Sequence, residues 1–259
     1  IIGFTTDPAE AAAARQLLQA NGLYGTRAAV SLVTSLDAIP VTRCCANLIT
    51  SQDLLDEKWE PTSLAEIHRL LQPRGVAVLG LSDSDGPGTI PEDWLSWLKQ
   101  NGIPAGSTAS ATTRWLHLER KPLDGAGSWS HLYGSADNSA FGGESLQDAK
   151  STSDLVVQWI GRPGPRYQPD RNGRKPSPLS VNGRLFLQGL QRLVALDAYN
   201  GTVLWSLEIP SLGRFNMPRD CGNWTADDNF VYVAINDRLW HIDAATGEVV
   251  RMQKVPSGP

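Results

Sequence analysis

The chain has 259 residues, 41% of them hydrophobic, which is room for one large domain or two modest ones with a real core. Its net charge of −4, with 19% charged residues, provides no basic surface of the kind that binds nucleic acid. The three cysteines, Cys44, Cys45 and Cys221, make no disulfide framework and no Cys-x-x-Cys zinc pair, and no apolar run approaches the ~20 residues that span a bilayer.

From the first residue, Ile1-Ile2-Gly3-Phe4 reads as a buried strand stopped by Thr5-Thr6-Asp7-Pro8. Asp7 is placed to cap a helix and Pro8 to begin it. The Ala-rich stretch from Ala9 to Ala20 is a strong helix former, closed by Asn21-Gly22. Ala28 to Val33 is the next strand. Cys44 and Cys45 are neighbours, an awkward geometry for a bridge, so they read as two thiols at a strand edge. Ala46 to Thr50 is a third strand, and Leu64 to Leu71 has the spacing of an amphipathic helix. Gln72-Pro73-Arg74-Gly75 then turns the chain into a fourth strand, Val76 to Leu79. Trp94 and Trp97, three apart, anchor a short helix. Strands alternating with helices imply a mostly parallel, doubly wound sheet over residues 1–122.

From about residue 123 the pattern changes. Gly, Pro and Trp punctuate short β runs, and no further helix is expected. Asp154 to Trp159 reads as the outer strand of one β unit. Gly161 to Pro178 holds five prolines and reads as a loop; its basic residues, Arg162, Arg166, Arg171, Arg174 and Lys175, are read as solvated. Beyond it the chain repeats itself. Val181 to Leu187 aligns with Asp227 to Val233, and Leu193 to Gly201 aligns with Leu239 to Gly247. Asp197 and Asp243 lie 46 residues apart, as do Pro210 and Pro256. A period of about 40–50 residues filled with short strands is that of β-propeller blades, which need neighbours to bury their faces. Trp159 precedes Trp205 by the same 46 residues, whereas the next copy has Arg251.

Two resemblances follow. Ala46-Asn47-Leu48-Ile49-Thr50-Ser51 and Leu64 to Gly75, in that order and spacing, resemble the fourth-strand motif and the helix-turn of class I S-adenosylmethionine-dependent methyltransferases. The resemblance covers about the first 120 residues and implies a Rossmann-like α/β domain in which Ile1 to Phe4 is the second strand, with the first strand and its Gly-rich turn missing. Cofactor-side positions would then be Thr5 and Thr6, Ser35 and Leu36, and Ser51. That family usually presents an acid after its second and third strands; here those positions hold Thr5 and Ser35, with Asp7 and Asp37 two residues away. Exchanging two charged acceptors for hydroxyls would weaken binding by about 1–4 kcal/mol, so S-adenosylmethionine is a doubtful cofactor.

Arg192-Leu193-Val194-Ala195-Leu196-Asp197 through Trp205, and more loosely Arg238 to Val249, resemble the pyrroloquinoline-quinone-like repeats of quinoprotein dehydrogenases and outer-membrane assembly lipoproteins. Ser128 to Asn138 is similar to the segment that introduces such a propeller. The quinone itself is not expected, because no acidic and amide set for a central channel is visible. The two resemblances together look like large multidomain proteins of environmental bacteria.

The repeat residues are expected to be structural: Asp197 and Asp243 to hold hairpin turns, Gly201 and Gly247 to supply positive φ, and Trp205 to cover the gap between blades with its N–H on a carbonyl. The four histidines, His68, His117, His131 and His241, are scattered, so no metal site is expected, and no catalytic residue is nominated. Gly86-Pro87-Gly88 lacks the Lys of a phosphate loop. The loop before Trp224 carries Arg219, Asp220 and Asn223, which are candidates to face a central channel and touch a ligand or partner.

The function expected is therefore a binding or scaffold protein, with a degenerate methyltransferase-like domain and a propeller face that takes a protein or small-molecule partner. The alternatives are an active methyltransferase whose propeller selects substrate, and a quinoprotein oxidoreductase. The lack of an initiator Met and the close on Pro256-Ser257-Gly258-Pro259 suggest a fragment, which should aggregate or stay partly molten alone. No compartment is indicated.

Overall fold

The computed structural model describes residues 1–51, 62–80, 107–112, 115–146, 149–161, 177–189, 191–212 and 222–255. Trp94, Trp97, the Gly86-Pro87-Gly88 turn, the 162–175 basic stretch, Arg219, Asp220 and Cys221 lie outside them. The chain divides into two compact units, 1–122 and 123–259.

In the first unit, β1 (Ile2–Thr5) pairs in parallel with β2 (Ala29–Leu32). The connecting helix α1 (Pro8–Ala20) starts where its sequence predicts: the Asp7 carboxylate accepts the Ala9 N–H at 2.7 Å, and Pro8 takes the first helical position. It ends at Asn21, after which Gly22 adopts φ +65°.

The second sheet of this unit contains β3 (Ala46–Ser51), β4 (Leu71–Gly80), β5 (Ser107–Thr112) and β6 (Trp115–Arg120), in the order β3-β4-β6-β5. Only β3 and β4 are parallel; β6 pairs antiparallel with both β4 and β5. The expected mostly parallel sheet is thus corrected to a mixed one. The hairpin over 107–120 escaped notice because Ser-Thr-Ala-Ser-Ala-Thr carries no alternation of large apolar side chains. The residues expected as a turn, Gln72–Gly75, leave the ladder within β4. Ala46 faces Leu71 while Leu48 already faces Val76, so the intervening residues loop out of the ladder. Arg74 sits at φ +64°, and a Cβ on Gly75 would stand 2.8 Å from the Gln72 carbonyl oxygen and 3.0 Å from that of Ala46. The two sheets share no strand pairing among the described residues.

Helix α2 (Thr62–Leu70) buries Leu64, Ile67 and Leu70, one apolar face at three-residue spacing, in a core with Leu71, Ala77, Leu79, Leu116 and Leu118. Its polar side is equally anchored. The Arg69 guanidinium grips Glu66 through two bonds of 2.7 Å and donates to the Ile39 and Val41 carbonyls at 2.8 and 2.9 Å. Glu66 in turn accepts the Ile39 N–H at 2.8 Å. Buried Arg120 donates to the carbonyls of His68 and Leu71, at 2.9 and 2.7 Å, which satisfies the end of α2 with a cation where the helix dipole favours one.

The second unit holds two four-stranded antiparallel meanders. The first blade is β7 (Leu179–Val181), β8 (Arg184–Gly189), β9 (Arg192–Asp197) and β10 (Val203–Glu208). The second is β11 (Trp224–Ala226), β12 (Phe230–Ile235), β13 (Arg238–Asp243) and β14 (Val249–Lys254). The last three strands of each blade begin and end 46 residues apart, matching the sequence repeat. The blades share one core, in which Phe186, Leu193, Ala195 and Trp205 meet Val231, Val233, Ile242 and Ala244. Both third-to-fourth turns are held as expected. Asp197 accepts the N–H groups of Tyr199 and Asn200, and Asp243 those of Ala245 and Thr246. Gly201 and Gly247 have φ of +72° and +76°.

Segment 154–159 departs from expectation. A 3-10 turn at Thr152–Asp154 precedes it, and residues 155–160 pair with no strand among those described.

Candidate functional site

Thr5 ends β1, Ser35 lies three residues after β2, and Ser51 ends β3; the C-terminal ends of parallel strands are where ligands usually collect. Thr5 and Ser35 each stand beside a carboxylate. The Thr5 hydroxyl donates to Glu10 at 2.7 Å and accepts the Asp7 N–H at 3.1 Å. The Ser35 hydroxyl donates to Asp37 at 3.4 Å and accepts the Asp37 N–H at 3.1 Å. Asp7, the nearest acid in sequence to Thr5, is committed to capping α1. The acid that reaches Thr5 is instead Glu10, one turn into the helix. Sequence reading missed it because the expected acid sits at a strand end; the signal available was the five-residue spacing that folds back over the cap. Thr6 and Leu36 are exposed and Ser51 half-buried.

A shallow apolar hollow of about 580 Å³ in this unit lies toward the other ends of β1 and β2, lined by Ile1, Gly3, Leu18, Leu23, Ala29 and Val30 among others. Apart from Arg27 it offers no charged side chain, and it does not include the Thr5 and Ser35 positions.

On the inner side of the blades, Ser128 to Ser130 lies along both innermost strands. Trp129 exchanges two backbone hydrogen bonds with Ser180 of β7, at 2.7 and 2.8 Å. The Ser130 carbonyl accepts the Ala226 N–H at 3.0 Å and the Thr225 hydroxyl at 2.8 Å, both from β11. This is the physical role of the segment read as introducing the propeller: it bridges the blades at their inner edges. Asn223, of the candidate loop, is buried at the start of β11, and its Oδ1 has no hydrogen-bond partner among the described residues. The indole N–H groups of Trp129 and Trp224 are likewise buried without a partner among them. Whether Arg219 and Asp220 join Asn223 lies outside the described residues.

The blades are joined by tryptophans. The Trp205 indole N–H donates to the Ala244 carbonyl at 3.1 Å, and its ring lies over Gly247, where a Cβ would come within 2.7 Å of it. Trp159 repeats the contact one period earlier: its N–H donates to the Ala198 carbonyl at 2.9 Å and its ring covers Gly201.

The histidines are dispersed. Burial, reinforced by Arg120 and Arg43, holds His68 below the usual imidazole range. His131 shares a 2.8 Å hydrogen bond with the Ser130 hydroxyl, and His241 packs edge-on to Tyr232. Among the described residues no group of three or more His, Cys, Asp or Glu side chains could hold a metal, and no helix is long and apolar enough to cross a membrane. Cys44 is buried and Cys45 half-buried; neither forms a disulfide among the described residues, and burial pushes the Cys45 thiol up.

Residues 172–253, about a third of the chain, match the family model of the outer membrane protein assembly factor BamB. No curated protein matches the chain. Among solved structures it is similar to a Methanococcus maripaludis protein assigned as an S-adenosyl-L-methionine-dependent methyltransferase, at 17% identity over 48% of this chain and 68% of that one, with a TM-score of 0.36. It is also similar to BamB from Moraxella catarrhalis, at 17% identity over 32% of this chain and 24% of that one, TM-score 0.25. A europium-containing methanol dehydrogenase aligns at 22% identity over 33% of this chain and 16% of that one, TM-score 0.23. The chain spans less than a quarter of the length of either propeller protein. The second unit is similar to the BamB family over residues 172–253.

Proposed function

We propose that the chain belongs to a binding or scaffold protein whose propeller face takes a protein partner and whose α/β unit has kept the fold but not a working methyl-transfer site. The observation that carries this reading is internal satisfaction at the ends of β1 and β2. Thr5 is bonded to Glu10, Ser35 to Asp37, and Asp7 to the helix it caps. Groups already paired with one another must give up those bonds before they accept a nucleoside, and a charge-assisted hydrogen bond contributes about 1.5–3 kcal/mol. The blades supply what an interaction platform needs: a rigid frame with turns fixed by Asp197 and Asp243 and a joint closed by Trp205. The match to a membrane-protein assembly factor family supports a protein as partner.

One observation favours the rival, an active methyltransferase. Glu10 and Asp37 do place a carboxylate beside each of the two hydroxyl positions, so acids are within reach of a ribose or an adenine amino group. Calorimetric titration of the full-length protein with S-adenosylmethionine separates the two. The scaffold reading expects no saturable heat; binding in the micromolar range, weakened by Glu10→Gln, would favour the rival.

A further inference from the structure

An asparagine followed by glycine carries a reaction within itself: the glycine nitrogen attacks the asparagine side-chain carbonyl carbon, an approach that the missing Cβ leaves open. Three such pairs fall among the described residues, Asn21-Gly22, Asn182-Gly183 and Asn200-Gly201, while Asn101-Gly102 and Asn172-Gly173 lie outside them. The fold treats the three differently. At the end of α1 the Gly22 N–H donates to the Gln19 carbonyl at 3.0 Å, and Asn21 Nδ2 donates to the Leu17 carbonyl at 2.9 Å. In the 197–201 turn the Gly201 N–H donates to the Asp197 carbonyl at 2.9 Å, and Asn200 Oδ1 accepts the Thr202 N–H at 2.9 Å. In both pairs the attacking nitrogen and the carboxamide it would attack are tied to other atoms. Asn182 and Gly183 are instead the two central residues of the β7–β8 hairpin, between the ladder pair Val181 and Arg184. Their φ of +50° and +73° make a type I′ turn. In a two-residue turn of this kind the flanking pair makes the hydrogen bonds, so the central N–H groups stand outside the ladder. The second blade supplies a matched contrast. Asn236, at φ +55°, opens the two-residue turn between Ile235 and Arg238, but the residue after it is Asp237, whose side chain crowds the attack.

We propose that Asn182 is a site of spontaneous modification in the folded protein, converted to aspartate and isoaspartate through a cyclic imide with Gly183. The Gly183 nitrogen gives up its proton and bonds to the Asn182 Cγ; the Cγ–Nδ2 bond breaks, and ammonia leaves with that proton. The five-membered imide then takes up one water, and nothing is oxidised or reduced. Opening at the Cγ–N bond gives an aspartate. Opening at the bond between the backbone carbonyl carbon and nitrogen gives an isoaspartate, in which the main chain runs through the former side chain. The aspartate keeps the left-handed turn, which a short polar side chain tolerates. The isoaspartate adds a carbon to the main chain inside a two-residue turn and undoes its register. Strand β7 has three residues, so the loosening falls on it and on the Ser180 pairing with Trp129.

Holding the full-length protein in mildly alkaline buffer, folded and in urea, and mapping its peptides by mass spectrometry tests this. In the folded protein Asn182 should convert at least about 5-fold faster than Asn21 or Asn200, whose two hydrogen bonds must open first. It should also outpace Asn236. In urea, where the turns are lost, the three Asn-Gly pairs should convert at similar rates, with Asn236 the slowest of the four. Equal rates for the three pairs in the folded protein, an Asn236 rate matching that of Asn182, or an Asn182 that converts only in urea would each overturn the proposal.

Discussion

The two blades are near-copies in backbone and differ at their outer strands. Strand β10 buries Trp205 against the next blade, while β14, its counterpart, is exposed at every residue and carries Arg251 in the Trp position. The turns differ less: Asp197 and Asp243 hold two N–H groups each, but Asp197 is buried and Asp243 half-buried. The difference lies in the neighbour. The 197–201 turn is covered by Trp159 and the 243–247 turn by Trp205, so each turn is one half of a joint. A repeat of this kind conserves what the blade needs for itself and varies what faces the next one.

The joint should dominate the stability of the second unit. Trp205 is buried, and replacing it with Ala removes its ring from the shared core and leaves the Ala244 carbonyl unpaired. Trp205→Ala is expected to cost about 3–5 kcal/mol, read from urea unfolding. A loss below about 1 kcal/mol would mean that the blades hold together through β7, β11 and the Trp129 bridge, and that the indole contributes little.

A smaller effect separates the two turns. Asp197→Ala removes a buried carboxylate from two N–H groups of a half-buried turn and should cost about 1–3 kcal/mol. Asp243→Ala should cost less, because water can replace the carboxylate. It should also depend on pH. The N–H groups of Thr246 and Ala245 hold the Asp243 carboxyl below its usual range. Because the folded value is the lower one, its stabilisation is complete above the ordinary carboxylate pKa and is lost as pH falls through the folded value. Wild type and Asp243→Ala should therefore converge in acid. Equal costs for both aspartates at neutral pH would contradict the assigned difference in burial.

How far this was legible in the sequence follows from the kind of interaction involved. Asp7, Pro8, Asp197, Gly201, Asp243 and Gly247 act within a few residues of themselves, and local chemistry announces them. The Trp205 joint spans 39 residues but was visible because the repeat printed its partner one period away. The hairpin at 107–120 was hidden because small polar residues pair as strands only when a neighbour such as β4 offers an edge. Glu10 was hidden because its approach to Thr5 depends on how α1 leaves β1. The bridging of β7 and β11 by Trp129 and Ser130 depends on where two blades place Ser180 and Ala226, which no local pattern carries.

The smallest effect is the sharpest test of where the stitching stops. Arg251→Trp restores the residue that the repeat holds at Trp159 and Trp205, yet position 251 is exposed and faces His241 instead of a small residue. An indole at that position has neither a turn glycine to cover nor an alanine carbonyl to meet among the described residues. The substitution should therefore leave the unfolding free energy within about 0.5 kcal/mol of wild type, whereas burying a large side chain would add more than about 1.5 kcal/mol. A gain of that size would show that β14 already has a groove to fill, and the contrast between the two outer strands would then be one of side chain alone.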